Sequence, residues 1–223
     1  MRSSDWWTLL PVRGIATGKS RLAAVLDAKA RAALNRHLLM HTLEVIEEWQ
    51  GDLARCAVVS PCDEALACAR AAGAQAWREP AGGDLNAALT FGAAAVVARG
   101  GAKLLVVACD LPRLSAAALS AFAERAAATG CAAIAPDRAG SGTNAMALDA
   151  GAQDIFHFGM NSCARHRAAL ARTGHRSICF ARDELAFDLD MPQDYAEWMT
   201  HRDARIPRGI SPPGESHMEE AGQ

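Results

Sequence analysis

Three aspartates stand in two short motifs, Asp110-Leu111-Pro112 and Asp188-Leu189-Asp190. Each follows an apolar approach, Leu104-Leu105-Val106-Val107-Ala108-Cys109 before the first and Leu185-Ala186-Phe187 before the second. A carboxylate at the end of a buried parallel strand lies where open α/β sheets hold their ligands. Carboxylates gathered there repel one another unless a cation joins them, and a hard ion such as Mg²⁺ suits oxygen donors. The motifs therefore point to metal-assisted chemistry on a phosphorylated substrate, with Asp110, Asp188 and Asp190 as metal ligands.

Basic groups that could meet such a substrate lie in the first loop, where Arg13, Lys19 and Arg21 follow an apolar stretch ending at Pro11 and Val12. Gly14-Ile15-Ala16-Thr17-Gly18-Lys19-Ser20 comes near the phosphate-binding P-loop but has three residues between its glycines rather than four. The required glycine position holds Arg13. Losing one residue alters the backbone cradle on which the motif depends, which argues against a P-loop NTPase or kinase. The loop remains a place to grip a triphosphate, although a solvated basic loop would use the same residues.

Other segments have two readings. Leu85-Asn86 follows the turn Gly82-Gly83-Asp84, where an Asn amide can read a base edge, meet a phosphate, or belong to a capping cluster. Gly140-Ser141-Gly142-Thr143-Asn144 suits either an anion-binding loop or a plain hairpin turn. Phe158-Gly159-Met160-Asn161-Ser162 puts Ser162 at a helix N-cap, a position that favours anions. His166, one helical turn later, shares its face and could contact that anion or simply lie on the helix surface. His37 and His41 are four apart but lack a third ligand, so they read as packing or surface residues.

The elements that must position these groups alternate strand and helix. Strands are expected at residues 6–12, 55–60, 103–109, 131–136, 143–148 and 177–180. Helices are expected at 29–50, 63–73, 84–99, 115–129, 162–174 and 192–200, with Asp63 and Ser115 as N-caps and Gly73 as a C-terminal stop. Continuously apolar strands between helices imply a mostly parallel α/β sheet covered on both faces. Residues 1–201 read as a single domain. The Pro- and Gly-rich residues 202–223 read as a disordered tail.

Composition bounds the function. A net charge of -2 without a basic run disfavours non-specific nucleic-acid binding. No stretch resembles a signal peptide or a membrane span, so a soluble cytoplasmic protein is expected. The seven cysteines lack CxxC spacing and read as buried, reduced thiols.

Taken together, these segments resemble the 2-phospho-L-lactate guanylyltransferase family of deazaflavin coenzyme biosynthesis. The matching landmarks are Pro11-Val12-Arg13 with Lys19-Ser20-Arg21-Leu22; Asp84-Leu85-Asn86-Ala87-Ala88-Leu89; Asp110-Leu111-Pro112; Gly142-Thr143-Asn144; Phe158-Gly159 with Ser162 and His166; and Asp188-Leu189-Asp190. The resemblance implies a Rossmann-like nucleotidyltransferase fold similar to the molybdenum-cofactor guanylyltransferases. It implies transfer of GMP from GTP to the phosphate of a three-carbon acid, with release of pyrophosphate. Carried over by position, Asp110, Asp188 and Asp190 would hold Mg²⁺, with Lys19, Arg21 and Asp110 catalytic. Pro11, Arg13, Lys19, Leu85 and Asn86 would face the nucleotide, and Thr143, Gly159 and Ser162 the acceptor's carboxylate, with Asn161 and His166 as further candidate acceptor contacts by their own placement. Arg13 stands where the family commonly has Lys, and Met160-Asn161-Ser162-Cys163 departs from the usual turn. Among the acceptors of the family (2-phospho-L-lactate, phosphoenolpyruvate and 3-phospho-D-glycerate), polar Asn161 favours the last. A nucleotidyltransferase of other base or acceptor specificity stays open, as do a P-loop-like enzyme, a non-catalytic nucleotide-binding regulator and a homodimeric assembly.

Overall fold

The computed structural model describes residues 3–152 and 154–200. The expected tail at 202–223 lies outside the described residues. Seven strands form one sheet: β1 (Trp6–Pro11), β2 (Cys56–Ser60), β3 (Gln75–Arg78), β4 (Lys103–Val107), β5 (Ala132–Pro136), β6 (Thr143–Asp149) and β7 (Ser177–Cys179). Their order is β3-β2-β1-β4-β6-β5-β7. β6 pairs antiparallel with β4 and β5, whereas the other pairings are parallel.

Alternation along the strands divides the core. Trp6, Leu10, Val58, Leu105 and Val107 pack on one face with the buried side of α1 (Ala28–Gln50) and with α2 (Asp63–Ala72) and α4 (Ala116–Thr129). Trp7, Leu9, Val59, Leu104 and Val106 pack on the other with α3 (Leu85–Val97) and α5 (Ser162–Arg172). Gly92 of α3 has Leu9 so near that an added Cβ would lie 2.8 Å from its Cδ1, so this close helix–sheet approach requires glycine. A third cluster joins Leu34 and Leu38 of α1 to Phe187, Leu189 and the helix α7 (Pro192–Thr200).

Several local expectations change. Cys62, not Asp63, occupies the α2 N-cap, and Asp63 pairs with Arg78 instead. Asn161, not Ser162, is the residue before α5, in a left-handed conformation at φ 55°. The short strand β3 and the one-turn helix α6 (Asp183–Ala186) were not expected. A 3₁₀ turn at Ser20–Ala24 lies between the first loop and α1. The cysteines are free, but only Cys56 and Cys163 are fully buried and Cys179 is exposed.

Candidate active site

The two acidic motifs meet because each inserts its leucine into the core. Leu111 and Leu189 are both fully buried, and the Leu189 N–H donates to the Asp110 carbonyl at 2.9 Å. The flanking carboxylates are left at the carboxyl edge of β4. Asp194 holds the far side of the second motif, accepting from Asp190 N at 3.2 Å and Met191 N at 2.7 Å.

Lys19 reaches this cluster from the first loop. Its backbone is left-handed, at φ 59°. Its Nζ donates to Asp110 Oδ2 and Asp190 Oδ1, both at 3.0 Å. Burial works against the ammonium, but Asp110 and Asp190 outweigh it and raise its pKa, so Lys19 stays charged. Arg21 is exposed, 3.7 Å from Asp190. Asp188 has the opposite problem. Burial, followed by the charges of Asp110 and Asp190, pushes its carboxyl up to about 6 despite hydrogen bonds from its own backbone and Asn144. Among the described residues, no three His, Cys, Asp or Glu side chains are gathered closely enough to hold a metal ion as they stand. The Lys19 ammonium bridges Asp110 and Asp190.

These groups border a cavity of about 420 Å³ whose walls include Pro11, Arg13, Lys19, Leu85, Asp110, Thr143, Gly159, Ser162, Asp188 and Asp190. Pro11 and Arg13 enter at the carboxyl end of β1. Thr143 and Asn144 enter from β6, whose antiparallel direction brings its first residues to the same edge. The loop between β5 and β6 is a hairpin turn, and its end at Gly142 and Thr143 lines the cavity. Asp137 closes that turn by accepting from Ser141 N at 2.8 Å, and an added Cβ at Gly142 would come within 2.6 Å of Asp137 Oδ2.

Arg13 is exposed and bonds the Gly83 carbonyl at 3.3 Å, with Glu79 3.7 Å away. Asn86 lies outside the lining and belongs to the capping cluster of α3, where the N-cap carboxylate of Asp84 accepts from Ala87 N at 2.8 Å and also bonds Asn86. The Asn86 Oδ1 accepts from Phe158 N at 2.6 Å and its Nδ2 donates to Phe158 O at 3.4 Å, fixing the loop before Gly159. Asn161 is exposed and absent from the cavity wall, which removes the reason for favouring 3-phospho-D-glycerate. His166 is fully buried behind Thr143 rather than on a helix surface. Sequence reasoning missed Asn35, whose Nδ2 donates to the Ile15 carbonyl at 2.7 Å and shapes the Lys19 loop. It also missed a role for Asn144, whose Nδ2 bonds the carbonyls of Leu185 and Ala186 at 3.0 and 3.2 Å and so ties β6 to the second acidic motif. Only helical phase could have hinted at Asn35, which lies one position beyond buried Leu34. No described helix is long and apolar enough to cross a membrane.

Comparison with known proteins agrees with this architecture. The chain is 39% identical over 190 residues to a phosphoenolpyruvate guanylyltransferase of Rubrobacter xylanophilus, covering 85% of this chain and 91% of the relative. It is 36% identical over 191 residues to a 3-phospho-D-glycerate guanylyltransferase of Phenylobacterium zucineum, covering 85% and 87%. A solved nucleotidyl transferase from Methanothermobacter shares the fold at TM-score 0.61 and 17% identity, covering 88% of this chain and 96% of that one. The family model described as "Guanylyl transferase CofC like" matches residues 7–208. The chain belongs to the CofC-like guanylyl transferase family.

Proposed function

We propose that this chain transfers GMP from GTP to the phosphate of a three-carbon phospho-acid, such as phosphoenolpyruvate or 3-phospho-D-glycerate, and releases pyrophosphate in coenzyme biosynthesis. The observation that carries the reading is the Lys19 bridge between Asp110 and Asp190 on the wall of a cavity that also holds Thr143, Gly159 and Ser162. Family membership supports the reaction class, and the differently named relatives leave both acids as acceptors.

In this reading Lys19 and Arg13 meet the triphosphate, while Thr143, the Gly159 backbone and Ser162 hold the acid. An acceptor phosphate oxygen attacks the α-phosphorus in line as the bond to pyrophosphate breaks. The acceptor phosphate is already an anion near neutral pH, so the protein needs neither a nucleophile nor a general base. Its contribution is positioning and charge neutralisation. The donor set suits Mg²⁺, because carboxylates are the hard oxygen ligands it takes, and burial together with Asp110 and Asp190 disfavours the Asp188 charge unless a cation joins it. Asp110, Asp188 and Asp190 would hold the ion, which would supply charge stabilisation to the phosphates.

The P-loop alternative has little left to support it. The loop runs into a 3₁₀ turn, and its two glycines are separated by three residues where the phosphate cradle needs four. The test is to incubate the protein with GTP, Mg²⁺ and each phospho-acid in turn and to measure pyrophosphate. Release that depends on one of the acids is expected, and none with any acid would remove the reading. Faster reaction with another nucleoside triphosphate would reassign the base. Asp110→Asn should abolish turnover while the protein stays folded, and a wild-type rate in that variant would take Asp110 out of the reaction.

A further inference from the structure

The acceptor wall is held from behind by a buried imidazole. His166 lies on the first turns of α5, is 0% exposed and does not reach the cavity lining. Its Nε2 accepts the backbone N–H of His157 at 2.9 Å, and its Nδ1 lies 3.0 Å from Thr143 Oγ1. Phe158 packs edge-on against the ring, with centroids 4.6 Å apart.

These contacts fix the proton. A neutral imidazole has one N–H and one lone pair, and a backbone N–H can only donate. The lone pair is therefore on Nε2 and the proton on Nδ1, which donates to Thr143 Oγ1. The hydroxyl then has its own proton left to give, and Thr143 faces the cavity. We propose that His166, locked as the Nδ1–H tautomer, is a positioning residue that makes Thr143 a dedicated hydrogen-bond donor to an anionic oxygen of the acceptor. This rests on reading that wall as the acceptor site of the transferase.

The ring also joins two walls of the subsite. Through Nε2 it holds His157, and Asn86 holds the next residue, Phe158, at both N–H and carbonyl. The loop that presents Gly159 is thus pinned at successive residues, one of them by the ring that orients Thr143. An imidazolium would turn an N–H toward the His157 N–H and break this arrangement. Burial first, then His157 and Arg165, push the His166 pKa down to about 4, so the ring remains neutral at ordinary pH.

Two substitutions separate the ring's two bonds. His166→Asn keeps a donor near the Nδ1 position, whereas His166→Gln keeps an acceptor near Nε2 and loses the donor to Thr143. His166→Gln should raise the KM for the acceptor acid about tenfold, with the KM for GTP unchanged, and His166→Asn should recover most of that loss. In a Thr143→Val background, His166→Gln should add almost nothing, because its effect passes through the hydroxyl. A KM for GTP that moves as much as that for the acid, or losses that simply add, would overturn the proposal. The ¹⁵N spectrum of the wild-type imidazole decides the same point without activity. A ring protonated on Nδ1 alone from about pH 6 to 9 is expected, and one that titrates near pH 6.5 or carries its proton on Nε2 overturns the proposal. If no acid supports turnover, the transferase reading fails while the spectrum still reports on the lock.

Discussion

Lys19 satisfies only part of the negative charge around it. Its ammonium lies between Asp110 and Asp190, and Asp188 is left with a carboxyl pushed up to about 6, first by burial and then by those same two neighbours. A carboxyl that binds its proton more tightly when folded favours folding in acid and disfavours it as pH rises through its folded value. Asp188→Asn removes that penalty. The variant should therefore melt above the wild type at about pH 8 without divalent cations, and the two should converge below about pH 4. Added Mg²⁺ should narrow the gap at pH 8 by stabilising the wild type alone. Calorimetry across pH checks this, and a variant less stable than wild type at every pH would refute it. At this scale the sequence was readable where a residue acts through its own charge. The aspartates and Lys19 announce themselves in that way. Asn86 and His166 do not, because each acts on loop backbone through hydrogen bonds that depend on the tertiary fold. Asn161 looked like a ligand group because its type was visible and its exposure was not.

Elements position the charges, and the residue leading into the second acidic motif is an aromatic ring packed against two cations. The guanidinium carbons of Arg113 and Arg138 stand 4.0 and 4.4 Å from the centroid of Phe187, the residue before Asp188. Glu197 of α7 joins both arginines, at 2.8 Å to Arg113 and 2.7 Å to Arg138. The hairpin, α7 and the acidic motif are thereby linked. Phe187→Leu keeps an apolar side chain and loses the ring, so unfolding free energy should fall by about 1–2 kcal/mol. Denaturant titration checks this, and unchanged stability would show that the ring serves only as filler. The long helices and central strands were legible because their apolar periodicity extends over many residues. β3 escaped notice because only Trp77 of its four residues is buried, and α6 is too short to show a helical period. The direction of β6 was recoverable in principle. Only six residues separate Pro136 from Thr143, too few for a parallel crossover, which needs a dozen or more.

Across the whole molecule, the site straddles the point where the strand order changes direction. From β1 the chain adds β2 and β3 on one side, then returns to place β4 on the other. Loops leaving β1 and β4 diverge there, which is where a doubly wound sheet opens a crevice. Arg13 and Lys19 enter from the β1 side and Thr143 from the β6 side, with Asp110 between them. The two substrates would therefore bind to different parts of one rigid sheet, and each should stabilise the fold on its own account. At about 100 times its Kd, Mg·GTP should add about 2.7 kcal/mol. For a chain of this size that corresponds to a rise in Tm of about 5–10 °C. Lys19→Ala should lose most of that rise while keeping the smaller one produced by the acceptor acid, because in the proposed reading the ammonium would face the triphosphate and the acid would lie against Thr143 and Ser162. Thermal unfolding with each ligand, alone and together, distinguishes the two halves. A Lys19→Ala protein that keeps its full response to Mg·GTP would show that the lysine only holds Asp110 and Asp190 in place. Loss of both responses would instead mean that the two parts of the crevice depend on the same bridge for their shape.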